Sequence, residues 1–283
     1  MERVPFEALA AGGNALRGDL AGDGPTIVEA HGLTAVRSYV THDSKVLERG
    51  GFRVARYDAR GHGESDPASH DEGYTYPELV RDMGEVVDAA SPSARVLIAG
   101  HSMGAHTAAA YALAEPERVA ALVLIGPAAR GEPTPPDAMA HWEALSKGLE
   151  RDGVDGFVEA YDDGTLNPEW RDVILRLARR RLALHRDPLA VARALREVPE
   201  SLPFVGIPML EAIQAPALVV ASNDDADPGH PFTVAEQWAE TLPTARLITE
   251  EEGESPLAWQ GGKLSREIAA FCSEPAVKAT LGA

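Results

Sequence analysis

The sequence has a single cysteine, Cys272, among its 283 residues. One cysteine cannot form an intrachain disulfide, and it excludes a metal site built from several cysteines. The chain also lacks any run of about 18 apolar residues, so no transmembrane helix is predicted. Its amino terminus, Met1-Glu2-Arg3, has no basic segment followed by an apolar run, so no signal peptide is predicted. These absences predict a cytoplasmic protein.

Positive charge is scarce in this chain. It has 26 lysine and arginine residues against 44 aspartate and glutamate residues, which gives a formal net charge of −18 at pH 7. A surface this acidic argues against non-specific binding to nucleic acid or to an anionic membrane. The glycine-rich phosphate loop and the His-Glu-x-x-His zinc motif are also missing from the sequence. We therefore expect no metal, no organic cofactor, and a small-molecule substrate as the partner.

The clearest functional motif lies in residues 95–110. The apolar run Val96-Leu97-Ile98-Ala99 predicts a buried parallel strand, and the alanine-rich segment that follows favours a helix. Between them stands Gly100-His101-Ser102-Met103-Gly104, the Gly-x-Ser-x-Gly pattern of a nucleophile elbow. Its two glycines let strand and helix approach closely, and the sharp turn exposes the hydroxyl of Ser102. The backbone N–H of Met103, at the start of the helix, can stabilise an oxyanion.

Strand and helix patterns alternate along most of the chain. A hairpin over residues 6–24 is followed by predicted strands at residues 26–30, 52–58, 121–125, 217–221 and 246–249. Helices are predicted at residues 36–49, 75–90, 231–242 and 264–272. This alternation predicts an α/β fold with a doubly wound, mostly parallel sheet, whose active-site loops follow the carboxyl ends of the strands.

One block interrupts the alternation. The cluster Gly131-Glu132-Pro133-Thr134-Pro135-Pro136 predicts a boundary, and residues 137–205 have a helical pattern without a convincing strand. We predict a core formed by residues 1–131 and 209–283, with residues 132–208 inserted as a helical lid. Because this block lies between two predicted strands, we expect the lid to cover the edge of the sheet that carries the active-site loops.

The chain resembles the α/β-hydrolases that carry a cap, a group that includes esterases, lactonases and carbon–carbon-bond hydrolases. The resemblance covers nearly the whole chain and rests on the elbow and on three further segments. These are His31-Gly32, the turn Asp58-Ala59-Arg60-Gly61-His62-Gly63-Glu64-Ser65, and the stretch from Pro216 to Pro228. It implies the α/β-hydrolase fold with an inserted cap. It also implies that His31 and the turn at 58–65 shape loops rather than react.

The resemblance assigns roles to four residues. It implies that Ser102 is the nucleophile and that the N–H groups of Leu33 and Met103 form the oxyanion hole. It also implies that Asp225, in the loop after the strand at 217–221, is the acid that orients a catalytic histidine. The neighbouring Asp224 and Asp227 are then interpreted as solvated carboxylates of the same loop.

The histidine that should complete this triad is missing from its usual place. In the family it lies in the loop after the last strand, where this chain has Glu254, and no histidine follows His230. A serine hydroxyl is a poor nucleophile without a base.

Three interpretations of this departure remain open. First, another histidine acts as the base: His230 follows Asp225 by five residues, and His101 and His106 next to the elbow are weaker candidates. Second, Glu254 is the base, which requires burial or the neighbouring acids to raise its pKa. Third, the chain does not hydrolyse its ligand. It then binds a small molecule, or catalyses a lyase-type or cyclase-type reaction that needs only the oxyanion hole and the pocket.

The predicted lid bears on the substrate. Its aromatic residues suit either an apolar substrate face or packing within the lid, and they are Trp142, Phe157, Tyr161 and Trp170. Its basic run at 171–182 suits either a substrate carboxylate or pairing with local acids. We predict a serine-dependent hydrolase that cleaves a small ester or lactone through an acyl-Ser102 intermediate.

Overall fold

The computed structural model describes residues 2–164, 166–223, 227, 229–251, 259 and 261–282. These residues form one eight-stranded sheet in the order β1-β2-β4-β3-β5-β6-β7-β8. Its strands are β1 Val4–Leu9, β2 Ala15–Ala21, β3 Thr26–Ala30, β4 Arg53–Tyr57, β5 Val96–His101, β6 Val119–Ile125, β7 Ala217–Ala221 and β8 Ala245–Thr249. Pairing is antiparallel at β1–β2 and β2–β4 and parallel from β4 to β8. The prediction of a mostly parallel α/β sheet is therefore confirmed.

The strand that carries the elbow lies in the middle of the sheet. β5 pairs with β3 on one side and with β6 on the other, and Gly100 lies opposite Ala30 and Leu124. β3 and β6 are buried along their whole lengths, as the continuous apolar runs of a parallel sheet require. The loops that follow these three strands consequently meet at one edge, which is where the site must lie.

Helices cover both faces of the sheet. They are α1 Val46–Arg49, α2 Tyr76–Ala90, α3 Met103–Ala114, α4 Pro136–Tyr161, α5 Arg171–Leu182, α6 Pro188–Glu200, α7 Phe232–Thr241, α8 Gly262–Cys272 and α9 Pro275–Leu281. Side chains of α2, α3 and α7 pack on one face of the sheet, and those of α8 and α9 pack on the other. A capping box starts α2, with Glu78 bound to the backbone N–H and the hydroxyl of Thr75. Among the described residues, no helix is long and apolar enough to cross a membrane.

The chain between β6 and β7 forms α4, α5 and α6, and no strand occurs in its described part. α4 bends at Asp152 and Gly153, whose backbone angles are not helical. The three helices share a small apolar core of their own, which includes Leu149, Phe157 and Leu195. We call residues 132–208 the helical insertion.

One predicted helix is wrong. Residues 36–49 form a short 3-10 turn at Arg37–Tyr39 and the single-turn α1 instead of a continuous helix. Two observations explain the interruption. His42 and Asp43 both have positive φ, which is incompatible with a right-handed helix. In addition, the backbone N–H and the guanidinium of Arg37 are bound by Asp58.

Candidate active site

Ser102 occupies the turn between β5 and α3 in a backbone conformation that L-residues rarely adopt. Its φ is 51° and its ψ is −115°. The close approach at this turn explains both glycines of the motif. A Cβ atom on Gly100 would lie 2.3 Å from the carbonyl oxygen of Gly104, and one on Gly104 would lie 2.1 Å from that of Ala30. Only glycine fits such contacts, so the sequence at 100–104 enforces the elbow geometry.

The segment after β3 lies against the elbow. A Cβ atom on Gly32 would be 3.3 Å from Cβ of Ser102, so Gly32 and Leu33 follow the neighbouring strand end directly beside the serine. Met103 is the first residue of α3, where backbone N–H groups have no partner within the helix. The two predicted oxyanion donors, Leu33 and Met103, therefore belong to the two segments that flank Ser102.

His230 lies in the loop between β7 and α7 and pairs with Asp227. Its Nδ1 is 2.8 Å from both carboxylate oxygens of Asp227. On its other side the imidazole packs on Gly126, whose added Cβ would lie 3.3 Å from Cγ of His230. Gly126 directly follows Ile125, and the carbonyl of Ile125 accepts the N–H of Ser102 at 2.9 Å. The structure thus places His230 against Gly126, which directly follows the residue whose carbonyl accepts the Ser102 N–H.

The partner of His230 differs from the residue suggested by the family pattern. Asp227, interpreted from the sequence as a solvated loop carboxylate, is 37% exposed and also pairs with His230. Burial raises the pKa of Asp227, but the adjacent His230 outweighs this effect and leaves the pKa below its ordinary value. Asp224 and Asp225 lie outside the described residues, so the predicted role of Asp225 stays a prediction. The two aspartates stand two positions apart in one loop, and sequence spacing alone did not separate them.

Glu254, the predicted alternative base, also lies outside the described residues. Its sequence neighbour Glu250 is described and is buried. The Glu250 carboxylate accepts hydrogen bonds from Ser222 Oγ at 2.7 Å, Asn223 N–H at 2.6 Å and Trp259 Nε1 at 3.1 Å. It therefore joins the loop after β7 to the loop after β8. Glu250 is thus a buried structural acid, and no pattern in the sequence distinguished it from the acids beside it.

The two histidines near the elbow have different surroundings. The ring of His101 lies 5.2 Å from that of His230, and burial lowers the pKa of His101 to about 3. Both ring nitrogens of His106 are bound within the fold. Its Nε2 accepts the N–H groups of Ala128 and Ala129 at 2.9 and 3.1 Å, and its Nδ1 is 2.8 Å from the hydroxyl of Tyr76. His106 consequently has no nitrogen left for Ser102.

Comparison with known proteins agrees with the α/β fold. The family profile of the serine aminopeptidases S33 matches residues 24–226. The chain belongs to this family of α/β-hydrolases. It is also 30% identical, over 73% of both chains, to the Pseudomonas putida protein named 2-hydroxy-6-oxononadienedioate/2-hydroxy-6-oxononatrienedioate hydrolase 2. Other relatives are matched over less of their length: 41% of a Xenopus tropicalis sn-1-specific diacylglycerol lipase and 38% of a carbamate hydrolase of Variovorax paradoxus.

Solved structures resemble this chain over almost its whole length. The enol-lactonase of Burkholderia xenovorans superimposes with a TM-score of 0.73 at 22% identity, covering 95% of this chain and all of the other. An esterase of Exiguobacterium antarcticum superimposes with a TM-score of 0.73 at 20% identity, covering 98% of this chain and 99% of the other. At such identities the likeness establishes the fold of this chain and nothing beyond the fold.

A cavity of about 620 Å³ opens beside the candidate site. His101, Asp227 and His230 line one wall. The opposite wall is α5 with the end of α4, and its apolar and aromatic lining residues are Tyr161, Trp170, Val173, Ile174 and Leu177. The aromatic residues of the insertion therefore divide: Tyr161 and Trp170 face the cavity, whereas Phe157 and Trp142 pack within the insertion. Among the described residues, no group of histidine, cysteine and carboxylate side chains could hold a metal ion.

The arginines of the insertion also divide into two groups. Arg171 pairs with Asp162, and Arg179 pairs with Asp155, both on the surface. Arg181 instead lines the cavity, and its buried Nε has no hydrogen-bond partner among the described residues. Burial lowers the pKa of its guanidinium, while nearby groups that include Asp227 oppose the change. Pairing with local acids thus holds for Arg171 and Arg179, while binding of a substrate carboxylate by this run stays a prediction.

Proposed function

We propose that this protein is a serine hydrolase that cleaves an ester or lactone bond of a small, partly apolar, carboxylate-bearing molecule. The observation that carries the proposal is the His230–Asp227 pair in the loop after β7, beside the elbow and the cavity. In this proposal Ser102 is the nucleophile, His230 the general base and Asp227 the residue that orients it.

The His230–Asp227 pair supplies what Ser102 lacks on its own. With Nδ1 bound to the carboxylate at 2.8 Å, the proton of neutral His230 stays on Nδ1 and leaves Nε2 as the basic nitrogen. Nε2 takes the hydroxyl proton of Ser102 as the oxygen attacks the substrate carbonyl, and the same proton then passes to the leaving alcohol. Asp227 stabilises the imidazolium that exists between these two transfers.

The charge that develops on the substrate is stabilised by backbone N–H groups. When Ser102 attacks, the carbonyl oxygen becomes an oxyanion, and we assign its two donors to Leu33 and Met103. One such donor is worth about 3 kcal/mol in the transition state. Water then attacks the acyl-Ser102 ester with His230 again as the base, which releases the acid and restores the serine.

The composition of the cavity supports the substrate class. Its α5 wall is largely apolar, which suits a hydrocarbon portion of the substrate. The guanidinium of Arg181 suits an anionic group, and a carboxylate accepts arginine bonds in a paired geometry. The name of the Pseudomonas putida relative specifies a dioate substrate for that protein. We therefore assign a substrate carboxylate to Arg181, and we treat the helical insertion as the lid of the core formed by residues 1–131 and 209–283.

One comparison favours a second candidate. A Bacillus subtilis protein named as a 2-succinyl-6-hydroxy-2,4-cyclohexadiene-1-carboxylate synthase is 30% identical over 58% of both chains. Reactions named in this way form a product without hydrolysing an ester, and they would use the same pocket and oxyanion donors. In this second candidate His230 moves a proton of the substrate, and no acyl-Ser102 forms.

A fluorophosphonate probe distinguishes the two candidates because it reacts with a serine that is activated by a base. We expect the wild-type protein to be labelled at Ser102, and we expect Ser102→Ala to abolish labelling. Ser93→Ala is the matched control, since Ser93 lies on an exposed turn before β5. Turnover of a small nitrophenyl ester is measured in parallel.

Each outcome of this experiment favours one of the two candidate functions or refutes it. Labelling and ester turnover that both disappear in Ser102→Ala support the hydrolase. A wild-type protein that is folded, unlabelled and inactive on esters refutes the acyl-Ser102 mechanism and leaves the second candidate. Labelling that persists in Ser102→Ala would place the reactive serine elsewhere.

A further inference from the structure

Three buried histidines hold the backbone on both sides of Leu33. Nδ1 of His31 donates to the carbonyl of Gly32 at 2.8 Å. The N–H of Thr34 donates to Nε2 of His62 at 3.4 Å. Nε2 of His185 donates to the carbonyl of Thr34 at 2.9 Å. Thr34 itself has a φ of 64°, which a β-branched residue adopts only when its surroundings impose it.

Each of these histidines is fixed as one neutral tautomer, because its second nitrogen accepts a backbone N–H. Nε2 of His31 accepts from Ala59 at 2.9 Å, and Nδ1 of His185 accepts from Gly63 at 2.9 Å. His62 accepts at Nε2, and its Nδ1 donates to the carbonyl of Arg60 at 2.9 Å. The rings lie next to each other, with centroids 5.2 Å apart for His31 and His62 and 5.4 Å apart for His62 and His185.

His185 differs from the other two because it belongs to the helical insertion. It stands between α5 and α6, 151 residues from Thr34 in sequence. The next residue, Arg186, is also bound to the turn after β4: its N–H donates to the carbonyl of Gly63 at 2.9 Å, and its guanidinium donates to Asp66 at 2.6 Å. The insertion is thus attached to the core at the point where it contacts the segment of Leu33.

We propose that His185 is a positioning residue that links docking of the helical insertion to the orientation of the Leu33 N–H in the oxyanion hole. The inference rests on the proposed function. In a trans peptide the C=O and N–H point in opposite directions, so fixing the Gly32 carbonyl also fixes the Leu33 N–H. His31 fixes that peptide directly, while His62 and His185 hold the two peptide units that follow it. Without His185 the Thr34 carbonyl and the Gly63 N–H lose their partners in a buried place, and the strained Thr34 loses one of its restraints.

The test compares His185→Leu, which removes both hydrogen bonds, with His185→Gln, whose amide can replace one donor and one acceptor. An oxyanion donor acts only in the transition state, so the loss should fall on kcat rather than on KM. With a nitrophenyl ester we expect His185→Leu to lower kcat by about 10-fold or more and to change KM by less than about 2-fold. His185→Gln should recover most of the lost kcat.

A general loss of stability must be separated from this effect. Ser146→Ala is the matched control, because Ser146 is buried in the same insertion and its hydroxyl donates to the carbonyl of Ala192 at 2.6 Å, away from Thr34. We expect Ser146→Ala to lower Tm while kcat stays at the wild-type value. The proposal is overturned if Ser146→Ala lowers kcat as much as His185→Leu does. It is equally overturned if folded His185→Leu keeps the wild-type kcat.

Two further variants, His185→Asn and Ser102→Ala, complete the experiment. If His185→Leu does not fold, His185→Asn replaces it. Its shorter amide cannot reach both partners, and a kcat equal to that of His185→Gln then contradicts the proposal. Ser102→Ala reports on the proposed function itself. Turnover that survives Ser102→Ala refutes that function, whereas turnover lost in Ser102→Ala and kept in His185→Leu refutes only the positioning role.

Discussion

The molecule contains two groups of neighbouring histidines that are used in opposite ways. In the first group, His31, His62 and His185, every ring nitrogen is bound to a backbone N–H or C=O. In the second, His101 and His230 line the cavity, and His230 is bound at one nitrogen by the Asp227 carboxylate. A ring with two backbone partners cannot take up a proton without losing one of them. A ring held by a carboxylate gains stability when it does so.

This difference indicates which histidines have a ring nitrogen available for proton transfer. The resemblance implied that the motif histidines shape loops, and His31 and His62 hold the backbone of the turns around them. The residue outside the motifs, His230, has the partner that a general base needs. The distinction lies in the hydrogen-bond partners and not in burial, because both groups are largely enclosed.

The largest expected effect separates His230 from the first group. His230→Ala removes the proposed base and should lower kcat for a small ester by about 10²-fold or more. His70→Ala, which changes a fully exposed histidine, should leave kcat unchanged. Steady-state kinetics on the purified variants measures both.

Substitution of Asp227, the partner of His230, tests the same proton transfer more specifically. Asp227→Asn keeps the shape of the loop but removes the charge that stabilises the imidazolium, so it should also lower kcat. Asp225→Asn should have the larger effect only if the family pattern places the acid correctly. Full activity in His230→Ala would show that the second group of histidines is no more catalytic than the first.

A smaller effect is expected at Arg181, whose charge acts on both groups because it opposes protonation of His101 and of His185. Arg181→Leu should lower kcat/KM about 10-fold for an ester that carries a free carboxylate, since a charged hydrogen bond is worth about 1.5–3 kcal/mol. A neutral ester of the same length should be affected much less. Arg176→Leu, at an exposed position of the same helix, is the matched control. Equal losses on both esters would contradict the assignment of the substrate carboxylate.

The smallest expected effect is on stability against pH. Burial lowers the pKa of His185 to about 4, with further lowering by His31 and Arg181, while the Thr34 carbonyl and Asp58 act in the opposite direction. An unfolded histidine has a pKa of about 6.5. Between these values the unfolded chain binds a proton that the folded chain does not. The free energy of unfolding therefore falls as the pH falls, by up to about 1.4 kcal/mol per pH unit for this group.

Urea unfolding at pH 7 and pH 5 measures this contribution. His185→Gln should lose less stability than the wild type between the two values, whereas His70→Gln should follow the wild type. Identical losses in all three proteins would indicate that His185 is protonated in the folded state, which its two backbone partners do not permit.

Much of the fold followed from local pattern. The strands at 26–30 and 217–221 have the predicted bounds, because continuous apolar runs between turn residues admit few alternatives. The elbow followed for a similar reason, since two glycines are needed where backbones approach within contact distance. The region 36–49 failed because its conformation is set by tertiary contacts of Arg37 with Asp58 and by positive φ at two residues, neither of which has a helical or strand period.

The site was predictable only in part. Ser102 and the neighbourhood of Leu33 followed from motifs, and His230 was a candidate by position in the chain. The choice of Asp227 needed coordinates, because it depends on which carboxylate the loop turns toward the ring. Arg181 and His185 could not be singled out either: one is an arginine among several in a basic helix, and the other contacts a segment 151 residues away.

The attachment of the insertion to the core is uneven. α6 and the residues at its ends are bound to the core, with Glu197 accepting the N–H of Tyr74 at 2.9 Å and Ser201 accepting that of Tyr76 at 3.0 Å. α5 buries only Ala178 and Leu182, and the ion pairs of Arg171 and Arg179 stay within the insertion. In the proposed function, much of the apolar lining of the cavity is therefore encoded in one contiguous stretch, residues 166–182, whereas the residues around Ser102 come from several separate segments. Exchange of residues 166–182 for the matching helix of another family member should therefore alter which compounds bind in the cavity. The residues around Ser102 stay unchanged in such a chimaera.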